Sequence, residues 1–227
     1  SGNILSRPGS TETDSKATAV FVSPAGDVYM CGYHAPNGSD SGTACYWKNG
    51  VRTDLINSMA FANDVCSTNG TVYTVGTLRS GNTNFAFCFE NGSGYYLVTK
   101  TTPYSIAKAV ALGSDSLYVA GTINDGSTDY ACYWKVALAG TTINRTILSN
   151  GSAASDIFYR NGHVYVSGKG KNGQACYWNN DAIVYLAGGT DTSGIHVTAN
   201  GDVYVSGEPK CFWENGKGYA ISFTTTG

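Results

Sequence analysis

The chain has 227 residues, carries a net charge of −2 and has only 13% charged residues. So weak a field excludes an electrostatic grip on nucleic acid or on an anionic membrane surface, and no run of about 18 apolar residues offers a spanning helix. Twenty-nine glycines and sixteen tyrosines, among abundant Thr, Ser and Asn, make the composition of short strands joined by tight turns.

In chain order, Asn3 to Ser6 is a short apolar patch and Arg7 to Ser15 a polar lead-in. Ala17 to Val22 and Val28 to Gly32 then predict a hairpin about Pro24-Ala25-Gly26-Asp27. The hairpin returns as Ala62 to Val65 with Val72 to Gly76, Ala107 to Val110 with Leu117 to Gly121, and Ala154 to Ile157 with Val164 to Gly168. Its last copy is Gly194 to Val197 with Val203 to Gly207. The turns carry Asn69-Gly70, Ser114-Asp115, Asn161-Gly162 and Asn200-Gly201, residues that accept positive φ at little cost.

After each hairpin comes a loop that shortens from about eleven residues, Tyr33 to Thr43, to three, Glu208 to Lys210. An aromatic strand follows it: Ala44-Cys45-Tyr46-Trp47, Ala86-Phe87-Cys88-Phe89, Ala131-Cys132-Tyr133-Trp134, Ala175-Cys176-Tyr177-Trp178 and Lys210-Cys211-Phe212-Trp213. The cysteines step by 43, 44, 44 and 35 residues, the period of propeller blades. Second tight turns are expected at Asn49-Gly50, Asn91-Gly92, Asn179-Asn180 and Asn215-Gly216, with Val136 to Gly140 replacing the turn in the third repeat. Fourth strands are expected around Leu55, Leu97, Leu148, Leu186 and Ile221.

This pattern predicts an all-β protein, a five-bladed β-propeller with four antiparallel strands per blade. It forms one domain over 1–227, with an N-terminal strand and lead-in at 1–16 and blades at approximately 17–60, 61–105, 106–150, 151–192 and 193–227. Ile4-Leu5 and Tyr219-Ala220-Ile221 both read as an outer strand for ring closure.

Five of the seven cysteines share one repeat position, too far apart for bridging, and are expected as buried thiols. A Cys31–Cys45 pair is the alternative within the first repeat. The column Trp47, Phe89, Trp134, Trp178 and Trp213 is expected to pack between blades rather than stack on sugars. Triplets at Asn37, Asn69, Asn91, Asn144 and Asn150 match the glycosylation acceptor pattern, although turn chemistry already accounts for Asn69-Gly70 and Asn91-Gly92. His34, His163 and His196 have no zinc-ligand spacing, and Asn124 to Asp129 lacks that of a calcium loop, so no metal and no cofactor is expected.

Just before the core Val or Ile of each first strand stand Ala19, Asp64, Ala109, Asp156 and His196, with Asn63, Lys108 and Ser155 adjacent. In a ring these positions approach the axis, which makes Asp64, Asp156, His196 and Lys108 the ligand-binding candidates. Two carboxylates and a histidine are raw material for acid–base chemistry. With no third acid in the repeat, no catalytic residue is assigned, and a carbohydrate-active hydrolase is the alternative to a binding protein.

The segments Gly26 to Gly32, Ala44 to Gly50 and Gly201 to Gly207, read as A-x-x-V, D-V-Y-V-x-G and A-x-Y-W-K-N-G repeats, carry a resemblance to small bacterial secreted or surface propellers. In size and blade count the chain is also similar to tachylectin-type lectins, whose Trp and Phe signature is not visible here. The first resemblance implies a module of the cell surface, periplasm or extracellular space. A monomer that binds a glycan or a protein through its loop faces is expected, with no nucleic-acid partner and no membrane span.

Overall fold

The computed structural model describes residues 12–36, 42–99, 102–138, 142–209 and 211–220. Among them are β1 (Glu12–Val22), β2 (Val28–Pro36), β3 (Thr43–Lys48), β4 (Val51–Thr68), β5 (Thr71–Ser80), β6 (Thr83–Glu90), β7 (Ser93–Tyr96), β8 (Tyr104–Leu112) and β9 (Ser116–Asn124). They continue as β10 (Asp129–Ala137), β11 (Ile143–Ile147), β12 (Gly151–Arg160), β13 (His163–Gly170), β14 (Ala175–Asn179), β15 (Ala182–Tyr185), β16 (Asp191–Val197), β17 (Val203–Glu208), β18 (Cys211–Glu214) and β19 (Lys217–Ala220). No helix occurs among the described residues, so none is long and apolar enough to cross a membrane.

Strands β1 to β7 make one seven-stranded sheet, and β8 to β11, β12 to β15 and β16 to β19 make three four-stranded sheets, each in chain order. The seven-stranded sheet arises because β4, 18 residues long, serves two neighbours. Val51 to Asp54 and Met59 pair with β3, and Ala60 to Thr68 pair with β5. The first repeat is therefore β1 to early β4, the second late β4 to β7, and the later repeats are the four-stranded sheets. Two compact units result, Ser1–Leu112 with Ile123–Ser127 and Gly113–Thr122 with Thr128–Gly227.

The inner strands are buried at consecutive residues, as in β9 from Ser116 to Ile123 and β14 from Ala175 to Trp178, so both faces of these sheets meet a core. In the first unit Tyr29, Val65, Val72, Phe87 and Phe89 are buried together, with Phe21 and Tyr46 against them. In the second, Tyr165, Tyr177, Ile195, Val205 and Trp213 do the same. Trp47, Phe89, Trp134, Trp178 and Trp213 are all buried, so the aromatic column packs. Burial of a Phe-sized side chain contributes roughly 1.5–3 kcal/mol. Trp178 Nε1 also donates to Ser149 O at 2.9 Å, and Trp213 Nε1 to Ala187 O at 3.2 Å, which satisfies their polar edges.

None of the seven cysteines is in a disulfide. Cys31 stands opposite Tyr46 rather than Cys45, and its Sγ lies 3.3 Å from the Thr18 hydroxyl.

The Asn turns have a specific cause. Asn49, Asn91, Asn180 and Asn215 take φ of 49°, 47°, 57° and 50°, and each pairs with the Val at the first or second place of the second strand of its repeat. Asn49 N donates to Val28 O at 2.8 Å while Asn49 Oδ1 accepts Val28 N at 2.9 Å, and the other three repeat this exchange with Val72, Val164 and Val203.

Three expectations shift. Asn179 ends β14 opposite Ala182, so the turn is Asn180-Asp181, because Asn180 is the residue whose amide oxygen meets Val164. At Asn200-Gly201 the positive φ falls on the glycine alone, in a loop closed by Gly201 N to Thr198 O at 3.0 Å. Leu97, Leu148 and Leu186 lie one residue past β7, β11 and β15. Their amides donate to Ala86, Ala131 and Ala175 and their side chains are buried, so the chain leaves each outer strand by turning an apolar side chain inward. Ile4-Leu5, Asn37 to Ser41 and Ile221 lie outside the described residues.

Candidate functional site

The candidate residues sit at a β-bulge. The register slips between Ala17 and Ala19, Ala62 and Asp64, Ala154 and Asp156, and Thr192 and Gly194. Across the ladder stand Gly32, Gly76, Gly168 and Gly207, where backbone presses so close that a Cβ at Gly76 would lie 2.0 Å from Phe61 O. Only glycine admits that approach, which explains the Tyr-x-x-Gly run within β2, β5, β13 and β17.

The bulge aims polar side chains at the first strand of the next repeat. Thr18 Oγ1 donates to Ala62 O at 2.7 Å and Asn63 Nδ2 to Ala107 O at 2.6 Å. Asp64 accepts the Val65 amide on Oδ1 and the Val110 amide on Oδ2, both at 2.8 Å. Asp156 repeats the device with Ile157 and Ile195, again at 2.8 Å. These carboxylates therefore clamp one repeat to the next. Burial pushes the Asp156 carboxyl above its ordinary range, and the two amides pull the other way.

The register also corrects the fifth repeat. Gly194 stands opposite Ser206 as Asp156 stands opposite Ser167, so Gly194 is the counterpart of Asp64 and Asp156. His196 lies two residues further on, opposite Tyr204, exposed, with its ring edge-on to Phe158 at 4.8 Å. Thr192-Ser193-Gly194 carries no side chain that marks the bulge, which is why spacing alone placed His196 there. Lys108 is exposed on β8, at the place of Asn63.

Two of the four candidates meet. Asp156 and His196 line a cavity of about 400 Å³ in the second unit, with Gly194, Tyr204, Ser206 and Phe212. Phe212 stacks on Tyr219 with centroids 5.0 Å apart and planes at 12°. Tyr204 donates to Glu214 Oε1 at 2.6 Å, and that bond raises its phenol above the usual range. Sequence spacing missed Gly194, Tyr204 and Phe212, whose signal was the period-2 alternation that puts them on one face with His196. With the Asp156 oxygens accepting amides, the cavity offers aromatic surface and hydroxyls, a lining suited to binding. No group of three or more potential metal ligands occurs among the described residues.

No family model matches the chain, and no curated protein matches it. Solved structures do. The chain is similar to a structure of a nidogen/laminin complex at 11% identity and a TM-score of 0.58, covering 90% of this chain and 80% of that one. It is similar to the WD40 repeats of RRP9 at 14% identity and a TM-score of 0.57, covering 89% of this chain but only 61% of that one. Both are β-propellers, and at such identities the likeness establishes fold alone: the chain is an all-β protein of propeller type.

Proposed function

We propose that the chain is a monomeric five-bladed propeller of the bacterial cell surface or periplasm, a non-enzymatic binding or scaffold module that recognises a glycan or a protein through its loop faces. The observation that carries this reading is the engagement of Asp64 and Asp156. Each carboxylate spends both oxygens on backbone amides of two successive repeats, so the acids that looked available for proton transfer act as clamps. Recognition then falls to loops and aromatic surface on a rigid frame. A similar propeller is itself solved in a protein complex.

Counting β4 in both sheets that it serves gives five quartets of strands, which supports the five-blade reading. Val20, Val22 and Val28 of the first repeat are 64%, 59% and 37% exposed, whereas their counterparts Ile195, Val197 and Val203 are buried. The first repeat thus carries an exposed apolar face.

The test is a screen of the purified protein against arrays of surface glycans and candidate surface proteins, run beside a reducing-end assay on the same oligosaccharides. Binding without cleavage is expected. Cleavage by the wild type that disappears in Asp64→Asn/Asp156→Asn would make the protein a hydrolase and end this reading.

A further inference from the structure

Two residues beyond the core Val or Ile of each first strand, the five repeats carry Val22, Ser67, Leu112, Tyr159 and Val197. Where the third and fourth repeats meet, Tyr159 fills this place by stacking on Tyr118 at 4.8 Å and 12°. In the fifth repeat Val197 fills it and is buried. Ser67 is the small, polar exception. Beside it the first unit holds a cavity of about 450 Å³, walled by Phe21 and Tyr29 and rimmed by Ser23, Asp27, Thr68 and Asn69.

The cavity is preformed. Its rim loop is closed by Gly26 N to Ser23 O and Ser23 N to Asp27 O, both at 2.9 Å, and by Asp27 N to Ser23 Oγ at 3.1 Å. The opposite rim is the left-handed Asn69-Gly70 turn. Phe21 and Tyr29 stand with centroids 6.3 Å apart at 46°, which gives an aromatic corner rather than a closed stack.

The charge at the rim is already balanced. Lys48 Nζ lies 2.9 Å from Asp27 Oδ2 and 5.4 Å from the centre of the Tyr29 ring, and Asn49 Nδ2 donates to Asp27 Oδ1 at 2.7 Å. The cation place beside the aromatic ring is thus taken by the protein's own lysine. What the cavity still offers is an apolar floor ringed by hydroxyl and amide groups, complementary to a molecule with one apolar face and a belt of hydroxyls.

We infer that the Phe21–Ser67 cavity is a binding site for a neutral hexopyranose unit. This rests on the reading of the chain as a binding module and gives that reading a place and a ligand class.

The experiment titrates the methyl glycosides of glucose, galactose and mannose into the full-length protein by ¹H–¹⁵N NMR, with choline as the cationic control. At least one glycoside is expected to shift amides of Phe21, Thr68 and Asn69, and choline none. Ser67→Leu, which copies the residue of the third repeat into the cavity, should weaken that binding about tenfold or more with an unchanged or raised Tm. Phe21→Ala, which removes a wall instead of filling the space, should weaken it too and serves if Ser67→Leu does not fold. Absence of binding by all three glycosides, preference for choline, or binding that survives the substitutions overturns the proposal. If array binding by the whole protein persists in Ser67→Leu, this site falls and the binding-module reading stands; if the wild type binds nothing on any array, both fall.

Discussion

Asp156 and Ile195 stand on the first strands of successive repeats, and the Asp156 Oδ2 accepts the Ile195 amide at 2.8 Å. No ladder hydrogen bond joins β12 to β16, so a side chain supplies the link. Asp156→Asn keeps one acceptor oxygen and turns an NH₂ toward the other amide. A loss of about 1–3 kcal/mol in urea unfolding is expected, the cost of a buried donor left unpaired. A neutral effect would show that the clamp is incidental.

The same carboxyl predicts a pH dependence. Burial raises its pKa above the ordinary 3.8, so the folded state holds the proton more tightly than the unfolded chain. That contribution is fully present below the unfolded value and fades as the pH rises through the folded one. The stability gap between wild type and Asp156→Asn should therefore be wider near pH 4 than near pH 8. An opposite trend would mean that the amides outweigh burial.

Gly168→Ala should be far more damaging than a surface Gly→Ala change, because the new Cβ would lie 2.1 Å from Ala153 O. The backbone at the bulge has to move, a cost of about 3 kcal/mol or more. Thermal unfolding of Gly168→Ala beside Gly201→Ala, whose Cβ would meet nothing within 4 Å, separates the steric clash from the penalty of positive φ.

Cysteine labelling gives a fourth check. Cys45, Cys88, Cys132 and Cys176 are fully buried while Cys211 is half-buried. Burial pushes the Cys88 and Cys176 thiols up to about 12, which removes the nucleophilic thiolate at neutral pH. Iodoacetamide on the native protein should modify Cys211 first and the other four only after denaturation. Early modification of Cys132 or Cys176 would contradict their place in the core.

Asn91 tests the turn device apart from glycosylation. Asn91→Gly keeps the backbone conformation and loses only the bond to the Val72 amide. Asn91→Ala also strains φ, so it should lose about 1 kcal/mol more. Equal losses would show that the hydrogen bond carries the whole effect.

Much of the fold could be read from local signals. Asn-Gly turns and the alternation in Ala44 to Trp47 depend on neighbours two to four residues away, and the buried tryptophans follow from them. The roles of Asp64 and Asp156 could not be read that way, since their partners Val110 and Ile195 lie 46 and 39 residues on. Nor could the place of His196, because a bulge adds one residue without a signature and Gly194 offers no side chain to mark it. Ser67 was visible as a residue, but only the cavity beside it shows that its small size leaves space.

Strand β4 runs from Val51 to Thr68, and only Leu55 to Ser58 separate the main stretch that pairs with β3 from Met59 and the stretch that pairs with β5, so the first two repeats share one strand. Leu55, in the stretch between the two pairing regions, is buried and ties the join into the core. A ligand seated between Phe21 and Ser67 would touch two successive repeats that this one strand ties together. The shared strand dictates where the chain tolerates being cut: new termini belong in the exposed Asn161-Gly162 turn, whereas a break inside β4 would sever the strand that joins the first two repeats.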